Sequence, residues 1–138
     1  MQHWARVLPA GPELYGVSNL AEGADQLFAA HVLTAGGSLE AILPCVDYAG
    51  SLVTDTGRGR FEELRQAAGT VITLPYPKPS EEAFLAAGMI LVERCDHLFA
   101  VWDGRPARGL GGTADVVAYA RTRRRQVTVL WATGVVRA

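Results

Sequence analysis

The sequence predicts an α/β fold made as one domain, with a central, mostly parallel sheet of about five strands and helices on both faces. Three observations predict it. Short apolar runs alternate with helix-patterned stretches along the chain, the order that parallel sheets with crossover helices require. Most of those runs are apolar on successive residues, as strands covered on both faces are. A length of 138 residues supplies one core and falls short of two. Residues 1–138 therefore read as a single domain, with 1–12 an irregular amino-terminal arm.

Taken in order, ELYGVS (13 to 18) reads as the first strand. After it, Leu20, Ala24, Leu27, Phe28 and Val32 fall on one stripe of a helix beginning near Ala21. Glu22 and Asp25 lie in or near its first turn, where acids suit the helix dipole, and Gly36 and Gly37 permit a left-handed stop. LEAILP (39 to 44) is the second strand, and VTDTGRGR (53 to 60) reads as a polar, glycine-punctuated loop. Phe61 to Ala68 makes a short helix with Phe61, Leu64, Ala67 and Ala68 inward, ended by Gly69. TVITLP (70 to 75) is the third strand, and the prolines of LPYPKPS then forbid both helix and central strand. Ser80 followed by Glu81 and Glu82 starts a helix to about Cys95. HLFAVW (97 to 102) is the fourth strand, GRPARGLGG (104 to 112) a loop, and Thr113 to Arg124 the last helix. Its arginine-rich end, RTRRR, reads as solvated and complementary to the negative end of the dipole. VTVLWA (127 to 132) closes the set, with Trp102 and Trp131 as core fillers in their strands.

Composition narrows the function. A net charge of -1 gives no broad positive field for a nucleic-acid polymer. No run approaches the length of a membrane span and the start lacks a signal-like apolar region, so a cytoplasmic, soluble protein is expected. Cys45 and Cys95 lack the paired spacing of a redox or zinc motif and read as reduced. His3, His31 and His97 share no ligand spacing, so neither metal nor cofactor is expected.

Two strand-to-helix junctions carry the chemistry. Around GLGGTADVVAYAR, a strand ends at Trp102, Asp103 follows, and Gly111, Gly112 and Thr113 open a helix. Free amides at such a helix start face an anion, and glycine lets a phosphate approach them. The alternative is a tight turn with Thr113 as an ordinary cap. YGVSNLAEGAD repeats the arrangement with Ser18 and Asn19. Ser18 has neither a base at nucleophile spacing nor a G-x-S-x-G frame, which argues against a hydrolase serine. Arg105 and Arg108, like Arg58 and Arg60, are either phosphate forks or exposed loop residues, and Tyr48 either stacks on a base or covers the core edge.

The blocks GVSNLAEGADQLFA, AILP with Tyr48 beyond it, DHLFAVWDG and GGTADVVAYAR together resemble the SLOG superfamily of Smf/DprA and LOG proteins, in its small stand-alone bacterial branch. The resemblance spans about residues 13 to 133. It implies a Rossmann-like fold that binds nucleotides or nucleotide-derived ligands, some relatives acting as N-glycosidases on nucleoside 5'-monophosphates and others as ligand sensors. The residues expected to bind the ligand and its phosphate are those of the two junctions and the loop between them: Ser18, Asn19, Gly104, Arg105, Gly111, Gly112 and Thr113.

Two departures stand out. The glycine-turn strand that usually precedes the YGVSN block has no counterpart in residues 1 to 12, and the glycosidase glutamate three residues after the threonine is replaced by Val116. Breaking an N-glycosidic bond builds positive charge on the sugar, which a carboxylate must meet. Asp115, about 100° round the helix, Asp103 and Glu22 are the candidates. The expected function is a binding module for a nucleotide-like ligand; the alternatives are an N-glycosidase and a structural subunit. A homodimer or higher oligomer is expected through an apolar helix face at Phe84, Ala87 and Leu91.

Overall fold

The computed structural model describes residues 11, 13–101 and 112–130. Among these, five strands alternate with four α-helices: β1 (Tyr15–Ser18), α1 (Ala24–Thr34), β2 (Ser38–Leu43), α2 (Asp55–Ala67), β3 (Thr70–Thr73), α3 (Glu81–Glu93), β4 (His97–Val101), α4 (Thr113–Thr122) and β5 (Gln126–Leu130). Every strand pairing is parallel, so the α/β class and the alternation read from the sequence hold.

The single five-stranded sheet does not. The described strands form a three-stranded sheet in the order β1-β2-β3 and a separate two-stranded sheet of β4 and β5. β1 pairs with β2 from Tyr15 opposite Ser38 to Ser18 opposite Ala41, and β4 pairs with β5 from His97 opposite Gln126 to Val101 opposite Leu130. Among the described strands β1 and β4 share no ladder of hydrogen bonds, and without one the two sets do not count as a single sheet.

Side-chain alternation sets the layers. Leu39, Ala41 and Leu43 of β2 face a cluster with Ala29 of α1 and Phe61 and Leu64 of α2. Ile42 faces the other way, packing with Val17, Leu74 and Ala87 of α3. Helices thus cover both faces of the larger sheet. Leu98 and Ala100 of β4 join Val92 of α3 and Val117 and Ala120 of α4 in a third cluster, so α3 packs against both sheets.

Local chemistry explains the boundaries. α1 closes with Gly36 at φ +86, where the Gly36 amide donates to the Leu33 carbonyl (3.1 Å) and the Gly37 amide to that of Val32 (2.9 Å), a Schellman stop. α3 starts where Ser80 Oγ accepts from the Ala83 amide at 3.0 Å. α2 begins six residues earlier than the sequence pattern allows, at Asp55 instead of Phe61. Thr54 Oγ1 accepts from the Gly57 amide (2.9 Å), and this cap carries the helix through Gly57 and Gly59, so most of the expected 53–60 loop is helical. The arginine-rich end of α4 is not purely solvated either. Arg123 pairs with Glu93 (2.7 Å), and Arg125 Nε donates to the Val92 carbonyl (3.1 Å), tying α4 to the end of α3.

Candidate functional site

The gap between the two sheets opens into a cavity of about 960 Å³. Its walls come from β1 (Tyr15, Val17, Ser18), all five residues of β4, the start of α1 (Ala24, Asp25, Phe28), the middle of α3 (Phe84, Ala87, Gly88, Leu91) and the start of α4 (Thr113, Val116, Val117). β3 and β5 contribute nothing to it. The carboxyl ends of β1 and β4 therefore open onto one space, the position at which open α/β sheets bind ligands.

At the carboxyl end of β1 the chain turns tightly. Ser18, buried, accepts from the Leu20 amide (3.1 Å) and donates to the Asp25 carbonyl (3.2 Å) through the same hydroxyl. Asn19 Nδ2 donates to the Ile42 carbonyl of β2 at 2.7 Å. Leu20 is fully buried with φ +57, a left-handed conformation that a leucine adopts only under tertiary constraint. Gln26 Nε2 completes the constraint by donating to the carbonyls of Leu20 (3.3 Å) and Gly57 (3.0 Å). Ser18 and Asn19 thus line the cavity as the brace of its wall, with the Ser18 hydroxyl and Asn19 Nδ2 already engaged.

Two carboxylates at this turn are in contrasting states. Glu22 accepts from the Thr54 hydroxyl (2.9 Å) and amide (3.3 Å) and from the Val53 amide, clamping the segment before α2 onto the segment before α1. The Thr54 hydroxyl, foremost, holds its carboxyl below the ordinary glutamate range. Asp25 sits in the cavity wall, where burial pushes its carboxyl above the usual range; a 3.3 Å hydrogen bond from the Ala21 amide offsets this in part. Asp25 is the residue that sequence reading missed. It was visible only as a dipole-favouring acid, because nothing in the spacing shows which first-turn acid faces inward.

The second junction presents its helix start differently. α4 begins at Gly112 with no side-chain cap, and Gly112 and Thr113 line the cavity. Thr113 is therefore the first residue of the helix, not the cap. Asp115 lies in the first turn of α4, beside cavity-lining Thr113 and Val116 and not itself in the lining. Asp103, Gly104, Arg105, Arg108, Gly111, Trp102, Trp131 and His3 lie outside the described residues.

The remaining candidates divide. Tyr48 is buried with its ring edge-on to Phe61 at 5.6 Å, so it covers the core edge while reaching the cavity wall; burial raises its hydroxyl pKa. Arg58 donates to the Leu52 carbonyl (2.6 Å) and pairs with Asp55, a helix-start role. Of the helix face expected to mediate association, Phe84 is exposed, but Ala87 is buried against Val17 and Ile42. His97 stacks on Phe99 at 4.1 Å and meets the Thr128 hydroxyl at 2.6 Å. Among the described residues no three histidine, cysteine, aspartate or glutamate side chains gather as a metal-binding group. No helix among them is long and apolar enough to cross a membrane.

At the opposite end of the cavity, Glu40 of β2 is fully buried. It accepts from Tyr15 Oη (2.6 Å) and from Arg94 through both Nη2 (2.6 Å) and Nε. Arg94, foremost, holds the Glu40 carboxyl below its usual range. Because Tyr15 opens β1 and Arg94 precedes β4 by three residues, the triad brings the amino ends of both strands to the same side. No family model matches the chain, and no curated protein matches it.

Proposed function

We propose that this protein binds a nucleotide or nucleotide-derived ligand at the carboxyl ends of β1 and β4, within a Rossmann-like arrangement, and acts as a binding or sensing module. The observation that carries the reading is the uncapped start of α4 at Gly112 and Thr113, open to the same cavity as the turn at Ser18 and Asn19. Helix starts of this kind attract phosphate through amides and dipole together. The local carboxylates support it: Glu22 is engaged with Thr54, and Asp25 is biased toward its neutral form. A volume of about 960 Å³ accommodates a nucleotide with room to spare.

Asp25 also favours a second reading. A carboxyl with a raised pKa in a cavity wall is the usual form of a general acid. An N-glycosidase on a nucleoside 5'-monophosphate would use Asp25 to protonate the departing base, in place of the roles considered for Asp115, Asp103 and Glu22.

Incubation with nucleoside mono-, di- and triphosphates, cyclic nucleotides and NAD, scored by thermal shift and by chromatography of free base, separates the two. A binding module gives a raised Tm with ligand intact, since a ligand at a hundredfold its Kd adds about 2.7 kcal/mol to the native state. A glycosidase releases base, and Asp25→Asn abolishes the release. Gly112→Val removes the shift in either case; a shift that survives it, or none with any nucleotide, rejects the proposed site.

A further inference from the structure

Buried polar groups in folded proteins find partners, and one that does not calls for a reason. Ser18, Gln26 and Glu40 obey the rule, each buried and each hydrogen-bonded. Tyr48 departs from it. Only 5% of the residue is exposed, yet its hydroxyl has no hydrogen-bond partner among the described residues; the bond between Tyr48 and Ser51 uses the Tyr48 main-chain carbonyl. The side chain is held in place, its ring edge-on to Phe61 and packed in the cluster that includes Leu20 and Leu52.

The polar end of this fixed ring belongs to the cavity. Tyr48 lines it beside Asp25 and Glu22. Burial, and after it the Asp25 carboxyl, with smaller effects from Cys45 and Glu22, holds the phenol above its ordinary range, which sets the hydroxyl near those wall carboxyls. Asp25 also has an atom to spare. Its Oδ2 accepts from the Ala21 amide, whereas its Oδ1 has no bond among the described residues.

The chemistry of the pair selects the guest. A phosphate would accept from the phenol but is turned away by the negative charge of Glu22 and of ionised Asp25, and an ammonium has nothing with which to accept. A hydroxyl donates and accepts through one atom, so it suits the phenol and suits Asp25 in either protonation state. Two adjacent hydroxyls serve both residues at once. The aromatic surface that suits a base lies elsewhere in the cavity, where Phe28 of α1 meets Phe99 of β4 with ring centroids 6.4 Å apart.

We propose that Tyr48 and Asp25 form a diol site: the Tyr48 hydroxyl donates to one hydroxyl of a furanose, and the Asp25 carboxyl bonds the adjacent one. In a bound nucleotide the diol is the 2',3' pair of the ribose, and this extension rests on the nucleotide reading above; the diol site itself does not.

Tyr48→Phe, which removes one oxygen and keeps the ring, is the test variant. Free of ligand it is expected to melt at or above the parent temperature, because no bond is lost with that oxygen. A lower Tm shows that the hydroxyl holds the fold together, which overturns the proposal. Titration calorimetry then compares adenosine and uridine 5'-monophosphates in their ribose and 2',3'-dideoxyribose forms. The parent is expected to bind the ribose forms about tenfold more tightly with either base, and Tyr48→Phe to shrink that ratio to about threefold or less while leaving the dideoxy affinities unchanged. Discrimination that follows the base and not the sugar overturns the diol, as does equal binding of all four probes by both proteins; neither result touches the phosphate site at the α4 start, which Gly112→Val tests. D-ribose alone separates the two readings from the other side. A thermal shift with D-ribose that Tyr48→Phe removes supports the diol site even where no nucleotide binds, and the absence of any Tyr48-dependent response to every probe rejects it.

Discussion

At the scale of single residues, two carboxyls decide how stability responds to pH, in opposite senses. Asp25 has its pKa raised by burial, so it contributes most when protonated, below the ordinary aspartate value, and that contribution is lost as pH rises through its raised value. Asp25→Asn keeps an oxygen to accept from the Ala21 amide and removes the half-buried ionisable group. The variant is expected to melt higher than the parent at about pH 8, by roughly 4 °C, with the gap closing in acid; equal Tm differences at both pH values reject a buried titrating Asp25. Glu40 behaves inversely. Its pKa is lowered, so its contribution is complete above the ordinary glutamate value and is lost as pH falls through the lowered one. Arg94→Ala leaves a buried carboxylate with Tyr15 as its remaining described donor. Because the Arg94 side chain is 44% exposed, the loss at neutral pH is expected to be smaller than for a fully buried broken pair. Urea unfolding checks this, and the loss should shrink as pH falls through the lowered Glu40 value. The sequence showed neither role. Glu40 sits inside a run that reads as a plain apolar strand, and its partner lies 54 residues away.

At the scale of elements, most of the fold was legible, because strands and helices here follow local rules. Five apolar runs and the Ser80, Gly36 and Gly37 signals placed their elements to within two residues at most ends. The exception was α2: the glycines at 57 and 59 made 53–60 read as a loop, whereas the Thr54 cap starts the helix at Asp55. A glycine inside a helix costs about 1 kcal/mol, which a cap of similar worth and a tertiary clamp offset. The clamp is Glu22, whose contact with Thr54 joins turns 32 residues apart. A Cβ at Gly57 would also lie 2.6 Å from Glu22 Oε2, so a side chain there would push on the clamp. Thr54→Ala is therefore expected to cost more than an ordinary cap, ~2 kcal/mol against ~1 for Ser80→Ala. Because Thr54 and Glu22 act together, the double variant with Glu22→Ala should lose less than the sum of its parts, whereas Thr54→Ala with Ser80→Ala should be additive. Chemical denaturation of the five variants reads both cycles. Additivity in the first would mean that Glu22 does not clamp α2.

At the scale of the whole molecule, a list of five strands predicts one sheet, but it does not say which strands are neighbours. That depends on main chain meeting main chain, which no local pattern in the sequence specifies. The candidate site suffered similarly: the junctions were legible as glycine and hydroxyl patterns, while the wall residue Asp25 and the triad at the far end emerge only from packing. The divided sheet has a mechanical consequence. β2 is hydrogen-bonded on both sides and buried from Leu39 to Leu43, whereas β4 and β5 have only each other among the described strands. The two sheets are coupled through α3, which packs on both, and through the Arg94–Glu40 contact. Opening free energies should therefore be graded, with β2 amides exchanging only by global unfolding and those of β4 and β5 by a cheaper, local opening. Arg94→Ala should widen the difference by accelerating exchange in β4, β5 and α4 more than in α1 and α2, since it removes a tie between the sheets. Native-state hydrogen exchange across a urea series measures this directly. A single, uniform protection level in parent and variant would mean that α3 alone welds the sheets into one cooperative unit, and that the gap between β1 and β4 does not weaken the fold.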